Sequence, residues 1–181
     1  IYYLNRQYEP ENTTDDEIIE IDSSNTSMDS GLKRFITYDS LSEFSFHVSG
    51  PLMMVYWLRD LKFDYIELAI LINVSQVLGL FSMRYWGKRI DNNGSYSTIR
   101  FTSFCIGIFP MFWVGIYYLP NELILAGSII IASLASLMFS GRALALDNRL
   151  YEHMKNKKMI KVTSKRFFFR GLSIFIGGLL G

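Results

Sequence analysis

Charge is scarce in this chain: 19% of its residues are Asp, Glu, Lys or Arg, against about 25% in ordinary soluble proteins. With an apolar share of 50%, that shortage excludes a solvated, charge-covered fold over most of the length. Cysteine is scarcer still. A single thiol, Cys105, excludes an intrachain disulfide and any zinc site built on cysteine. Two histidines, His47 and His153, are too few for a histidine-rich metal centre, so neither metal nor cofactor is expected. Catalytic signatures are missing as well. There is no HExxH, no Walker loop, no Gly-x-Ser-x-Gly and no pair of acids on a soluble scaffold, so an enzyme is not expected.

What is present is unevenly placed. Residues 1–40 hold nine acidic and three basic side chains, a net of −6, whereas residues 41–181 hold eight acidic and fifteen basic ones, a net of +7. Residues 9–31 combine many carboxylates with low hydrophobicity and no aromatic ring. Such a segment buries too little apolar surface to offset its ordering entropy, so residues 1–40 read as an acidic, disordered linker. The chain opens on Ile1 and its last residue lies inside an apolar run. It reads as a piece of a longer polypeptide.

From residue 41 onward the pattern is that of an all-α, polytopic membrane bundle. Ser40-Leu-Ser-Glu43 has the form of a capping box, in which the serine oxygen accepts an orphan backbone N–H and the glutamate reaches back. The run 41–58 that follows is about 27 Å of helix at 1.5 Å per residue, close to the hydrocarbon thickness of a bilayer. Pro51 interrupts it and predicts a kink, since its ring removes one hydrogen bond and crowds the carbonyl of His47. Asp64-Tyr-Ile-Glu67 is a second capping signature, opening a helix over 65–85. Further helices are expected over 97–119, with Pro110 inside, and over 121–147, which Asn121 can cap. A fifth run, 166–181, is too short to span as it stands. The expectation is four complete transmembrane helices and the start of a fifth.

Helices in a membrane alternate direction, so the leader, the connection 86–96 and the basic stretch 148–166 share one side. That side carries Lys33, Arg34, Arg84, Lys88, Arg89, Arg149, Lys155, Lys157, Lys158, Lys161, Lys165 and Arg166, while the other offers Arg59 and Lys62. By the positive-inside rule the first side is cytoplasmic, residues 1–40 included, in what is expected to be a plasma (inner) membrane. Basic residues beside a membrane also meet anionic lipid, a simpler reading than nucleic acid.

Between the second and third runs the chain reads Gly87-Lys-Arg-Ile-Asp91-Asn-Asn-Gly94. This resembles the loop motif of the major facilitator superfamily, written G-x-x-x-D-R/K-x-G-R/K-R/K. Gly50-Pro51, Trp57-Leu-Arg-Asp60 and the glycine-rich end with Gly171 and Gly177-Gly178-Leu-Leu-Gly181 extend the resemblance over about residues 35–181. Asn92, Ser95 and Tyr96 stand where the family has basic residues, and Arg100 is the candidate replacement. An acidic leader resembles that family's central linker, which implies the C-terminal half, itself truncated. The resemblance implies a secondary transporter of a small solute working by alternating access, with an ion such as H⁺ for coupling and the missing N-terminal half as partner. It also implies gating roles for Gly87, Asp91, Gly94 and Arg100. Asp91 beside a helix N-terminus favours one conformation by ~0.3–1 kcal/mol, and a plain connector is the alternative. A small membrane scaffold without transport activity is the competing function.

Ionisable and polar groups within spans are functional candidates. Ser133, Ser136, Ser140, Ala143 and Asp147 recur at spacings of three and four, one small polar face that lines a cavity or packs against another helix. Arg142 lies on a different face and is expected to snorkel to the headgroups, with an ion pair or substrate contact as the alternative. Asn73 and Gln76, one turn apart, suit hydrogen bonds across helices or contact with a solute. Glu67 is either the cap partner of Asp64 or a proton carrier. His47, Met54 and Tyr56 flank the Pro51 kink and are candidates for the solute path.

Overall fold

The computed structural model describes residues 30–154 and 159–181. Every regular element among them is helical: α1 (Ser30–Val55), continued by a π-helical turn over Tyr56–Asp60, α2 (Tyr65–Asn93), α3 (Ser95–Ile116), α4 (Asn121–Met154) and α5 (Met159–Leu180). The acidic segment through residue 29 and residues 155–158 of the basic stretch lie outside the described part. Among the described residues three helices, α2, α3 and α4, are long and apolar enough to cross a membrane. The sequence reading counted four and a start. α1 falls short because Asp39, Glu43, His47 and a series of serines thin its apolar content.

The Asp64 capping box is formed as read. The Glu67 amide donates to Asp64 Oδ1 at 2.7 Å, and the Asp64 amide donates to Glu67 Oε2 at 3.0 Å. That satisfies two donors which a helix N-terminus otherwise leaves orphaned. The Ser40 box is not formed. α1 begins at Ser30, ten residues upstream, so residues 30–40 are helical rather than linker. Tertiary packing overrides the local signal here: Leu32 and Ile36 are buried against Leu150 and Val162, with Phe35 beside them. Glu43 is taken by an ion pair with Arg170.

The connections are shorter than the apolar runs imply, because polar residues continue the helices beyond the apolar windows. α4 has 34 residues, about 50 Å of helix against a hydrocarbon core of about 30 Å. The expected 86–96 loop is almost wholly helical. Only Gly94 breaks it, at φ +81°, closing α2 and opening α3, a backbone conformation that glycine adopts without a Cβ clash. Pro51 and Pro110 sit inside continuous helices. α1 ends instead in a widened turn, where the Leu61 amide bonds the Tyr56 carbonyl at 3.1 Å and Lys62 takes a positive φ of 57°.

Contacts set the directions. Gly79 meets Ser136, Ser82 meets Ser140 and Trp86 meets Gly141, so α2 and α4 run parallel. Asp39 meets Arg166, Glu43 meets Arg170 and His47 meets Gly177, so α1 and α5 run parallel too. α3 lies against α4 through a buried face of Ser95, Thr98, Ile99, Thr102 and Ile106, the spacing of a helix stripe. One end of the bundle is closed by Ile90, Ile99, Ala145 and Leu146, the other by Leu61, Phe63, Leu68, Leu71 and Ile116. The outer surface is apolar and open: Phe81 is 79% exposed and Phe104 is 70% exposed, the distribution of a protein whose solvent is lipid.

Small residues let the backbones approach, as is common between membrane helices. A Cβ on Gly141 would collide with the Trp86 ring and one on Gly79 with Ser136, while one on Gly87 would meet nothing within 4 Å. Close backbone approach therefore occurs at Gly79 and Gly141 and not at Gly87. Gly141→Leu is expected to destabilise the bundle by ~1–3 kcal/mol through overpacking, seen as a lower thermal midpoint in detergent, and Gly87→Leu to leave that midpoint unchanged.

Candidate functional site

The polar residues of the bundle concentrate where α1, α4 and α5 meet. Arg166 is 4% exposed and Asp39 is fully buried. Arg166 Nε donates to Asp39 Oδ2 at 2.7 Å, and its Nη1 donates to Asp147 Oδ1 at 2.9 Å. One guanidinium thus holds carboxylates from two other helices, and its carbon lies 5.7 Å from the Phe35 ring centre. One turn along, Arg170 Nη2 pairs with Glu43 Oε1 at 2.9 Å. His47 Nδ1 donates to the Glu43 carbonyl at 2.8 Å and lies 3.8 Å from its Oε2. Acids at 39 and 43 and arginines at 166 and 170 share the i, i+4 spacing, which stacks each pair on one helix face. Two parallel helices then match pair to pair. That spacing was visible in the sequence, but placing 166 in a connecting stretch hid it.

Arg142 is the other buried arginine, at 4% exposure. It does not reach out to headgroups. Its guanidinium carbon lies 5.1 Å from the Phe46 ring centre and 5.7 Å from that of Tyr38, so its cation rests on two aromatic faces of α1. Its Nη2 is buried without a hydrogen-bond partner. Asp147 has 56% of its side chain exposed and is engaged by Arg166.

The serine face of α4 is packed against α2. Ser140 Oγ is 2.6 Å from Ser82 Oγ, Ser136 abuts Gly79, and Ser133 is buried with its hydroxyl unpartnered. Trp86 Nε1 donates to the Leu137 carbonyl at 2.8 Å across the same interface. In place of an open cavity, this face carries a close helix contact with α2. Asn73 bonds its own helix, Nδ2 donating to the Ala69 carbonyl at 2.7 Å, and Gln76 is exposed, so neither bridges helices. Tyr56 donates its hydroxyl to the Trp113 carbonyl at 2.8 Å and ties the end of α1 to α3. Met54 is 42% exposed on the outside of α1.

In the motif region Asp91 and Arg100 are exposed. Arg89, which the sequence reading counted only as a topogenic charge, lies 4.5 Å from the Phe101 ring centre and 5.8 Å from that of Trp86, linking α2 to α3. Ser95 donates to Glu152 Oε1 at 2.7 Å and fastens the start of α3 to α4. At the far end a shallow cleft of about 300 Å³ is lined by Tyr56, Asp60, Val114, Tyr117 and Tyr118. It is remote from the charged cluster, and tyrosines at that level fit an interfacial aromatic belt. No group of three or more His, Cys, Asp or Glu among the described residues is placed to hold a metal ion.

No family model, curated protein or solved structure matches the chain.

Removing one partner of a buried ion pair leaves an uncompensated charge and costs ~3–5 kcal/mol. Arg166→Gln and Asp39→Asn are each expected to lower the thermal midpoint of the purified protein steeply. Asp147→Asn, removing a half-exposed partner, should cost no more than ~1 kcal/mol. Equal losses for all three would show that the two carboxylates share Arg166 evenly.

Proposed function

We propose that this chain is part of the C-terminal half of a major facilitator-type secondary transporter, moving a small solute by alternating access. One observation carries the reading: the two closest parallel pairings, α1 with α5 and α2 with α4. Exchanging α1 for α4 and α2 for α5 turns one pair into the other, and the exchanged helices point opposite ways. Inverted-topology repeats of three helices, nested within each half, are a recurrent plan of such transporters, with the solute site near the bilayer midplane. On this reading α1 and α5 are spans alongside α2, α3 and α4, which gives four complete spans and a fifth at the end of the chain. The path runs beside α1 and α4, and the missing half closes it.

The charge bias sets the orientation. Lys33, Arg34, Arg84, Lys88, Arg89, Arg149, Lys165 and Arg166 gather toward one end, and Arg59 and Lys62 lie at the other. The basic end is the cytoplasmic one, which puts the start of α1 at Ser30 on that side.

Two measurements test the proposal. On a Cys105-free background, cysteines at Ser24, Asn92 and Asn156 are expected to resist an impermeant thiol reagent in intact cells and to react after lysis, while one at Lys62 reacts in intact cells. The reverse pattern would invert the orientation. The full-length protein in proteoliposomes is expected to accumulate a solute from a small-molecule panel, in a manner that depends on an imposed ion gradient. Flux identical to protein-free vesicles for every solute would sink the transport reading.

A further inference from the structure

Arg142 is a buried cation with no anion beside it among the described residues. Arg166 has Asp39 and Asp147 within hydrogen-bond distance, and Arg170 has Glu43. Arg142 has no carboxylate oxygen within 4 Å among the described residues and makes no hydrogen bond to any of them; its Nη2 is shut away from solvent with no acceptor. The rings of Tyr38 and Phe46 attract the charge but accept no N–H. A buried charged donor left unsatisfied is costly, and more so in a membrane span. Asp39, Glu43 and Asp147, the carboxylates on the elements around it, are turned to Arg166 and Arg170.

The surroundings have the form of a holder. Tyr38 is fixed by its hydroxyl, 2.8 Å from Ser103 Oγ of α3, and Phe46 stacks edge-on against Phe139 of α4 at 4.9 Å between ring centres. Both rings that carry the guanidinium are thereby fixed by neighbouring helices. The backbone of α1 packs on α5 and that of α4 on α2 and α3, leaving long side chains to bridge α1 and α4 at the level of Arg142. A planar guanidinium with free N–H groups matches the geometry of a carboxylate or a phosphate.

We infer that Arg142 is an oxyanion-binding site: its guanidinium, presented on Tyr38 and Phe46, receives the carboxylate or phosphate group of a ligand entering between α1 and α4. This rests on the transport reading and names the solute class for it, a small organic or inorganic oxyanion. Lysine cannot replace the arginine, because the site uses the planar fork as well as the charge.

The test uses the full-length protein in phosphatidylcholine nanodiscs and follows phenylglyoxal modification of Arg142 by peptide mass spectrometry. Succinate or inorganic phosphate, against chloride at equal ionic strength, is expected to slow the modification at least tenfold, and the neutral succinamide to leave it unchanged. Protection in phosphatidylglycerol nanodiscs without added anion would assign the same oxyanion site to a lipid headgroup. Equal rates under all conditions, or no modification under any, would overturn the site. Arg142→Lys, which keeps the charge, should lose the succinate- or phosphate-dependent rise in thermal midpoint that the native protein shows, and retention of that rise would also overturn it. Uptake separates the two readings. Protection of Arg142 without flux would leave the site standing and remove transport. Flux of a neutral solute undiminished in Arg142→Gln would leave transport and remove the site.

Discussion

The buried guanidinium of Arg166 joins three helices through charged hydrogen bonds. It comes from α5, whose backbone packs on α1, and its two hydrogen bonds end on α1 and on α4, which packs its own backbone chiefly on α2 and α3. Buried ion pairs are expensive to desolvate and often add little net stability. Their value here is positional. Asp39 and Glu43 one turn apart, facing Arg166 and Arg170 one turn apart, permit one register of α1 on α5. A slip by one turn would leave a buried charge unpaired at each end of the ladder.

The bundle therefore combines two kinds of adhesion. α2, α3 and α4 are joined by close backbone approach, with Gly79, Gly141, Ser82, Ser140 and Thr102 removing bulk from the interfaces. Such contacts are short-ranged and lose their energy as soon as helices separate. α1 and α5 are joined by ion pairs and by Gly177, where a Cβ would lie 2.8 Å from the Phe44 carbonyl oxygen. Between the two sets run long side chains: Arg142 on Phe46, Phe46 on Phe139, Arg166 to Asp147. Long side chains change rotamer while keeping contact, so displacement along this seam costs less than displacement along α2/α4. Alternating access, as proposed for the whole transporter, requires such unequal interfaces.

How much of this was legible depended on whether the signal was local. The Asp64 and Glu67 cap is written within four residues and formed as read. The helical class followed from apolar runs that no soluble packing could bury. The Ser40 cap was equally well written and did not form, because Leu32 and Ile36 found Leu150 and Val162 across the bundle and drew the helix start upstream. Polar residues do not end these helices: Gly87 through Asn93 are helical, since a helix satisfies its own backbone whether or not its side chains are apolar. The ladder at 39, 43, 166 and 170 has a periodic signature, but recognising it required knowing that the first and last helices touch.

The relation between Arg142 and the serine face shows what one missing fact can invert. At about 100° per residue, Ser140 and Arg142 point about 160° apart around α4. Whichever neighbour takes the serines, the arginine faces away from it. The sequence left the serine face open between a cavity and a helix contact. The place of Arg142, within two turns of the apolar run's end, predicted a side chain snorkelling to the headgroups. In the folded chain the serines take α2, because Gly79 and Ser82 present a matching small surface, and the same rotation turns Arg142 inward onto Tyr38 and Phe46 of α1. The helix periodicity was correct in both arrangements. What decided between them was the steric fit of α2, a property of glycine and serine spacing in a different segment. The chemistry of the arginine is thus fixed by the packing of residues that never touch it.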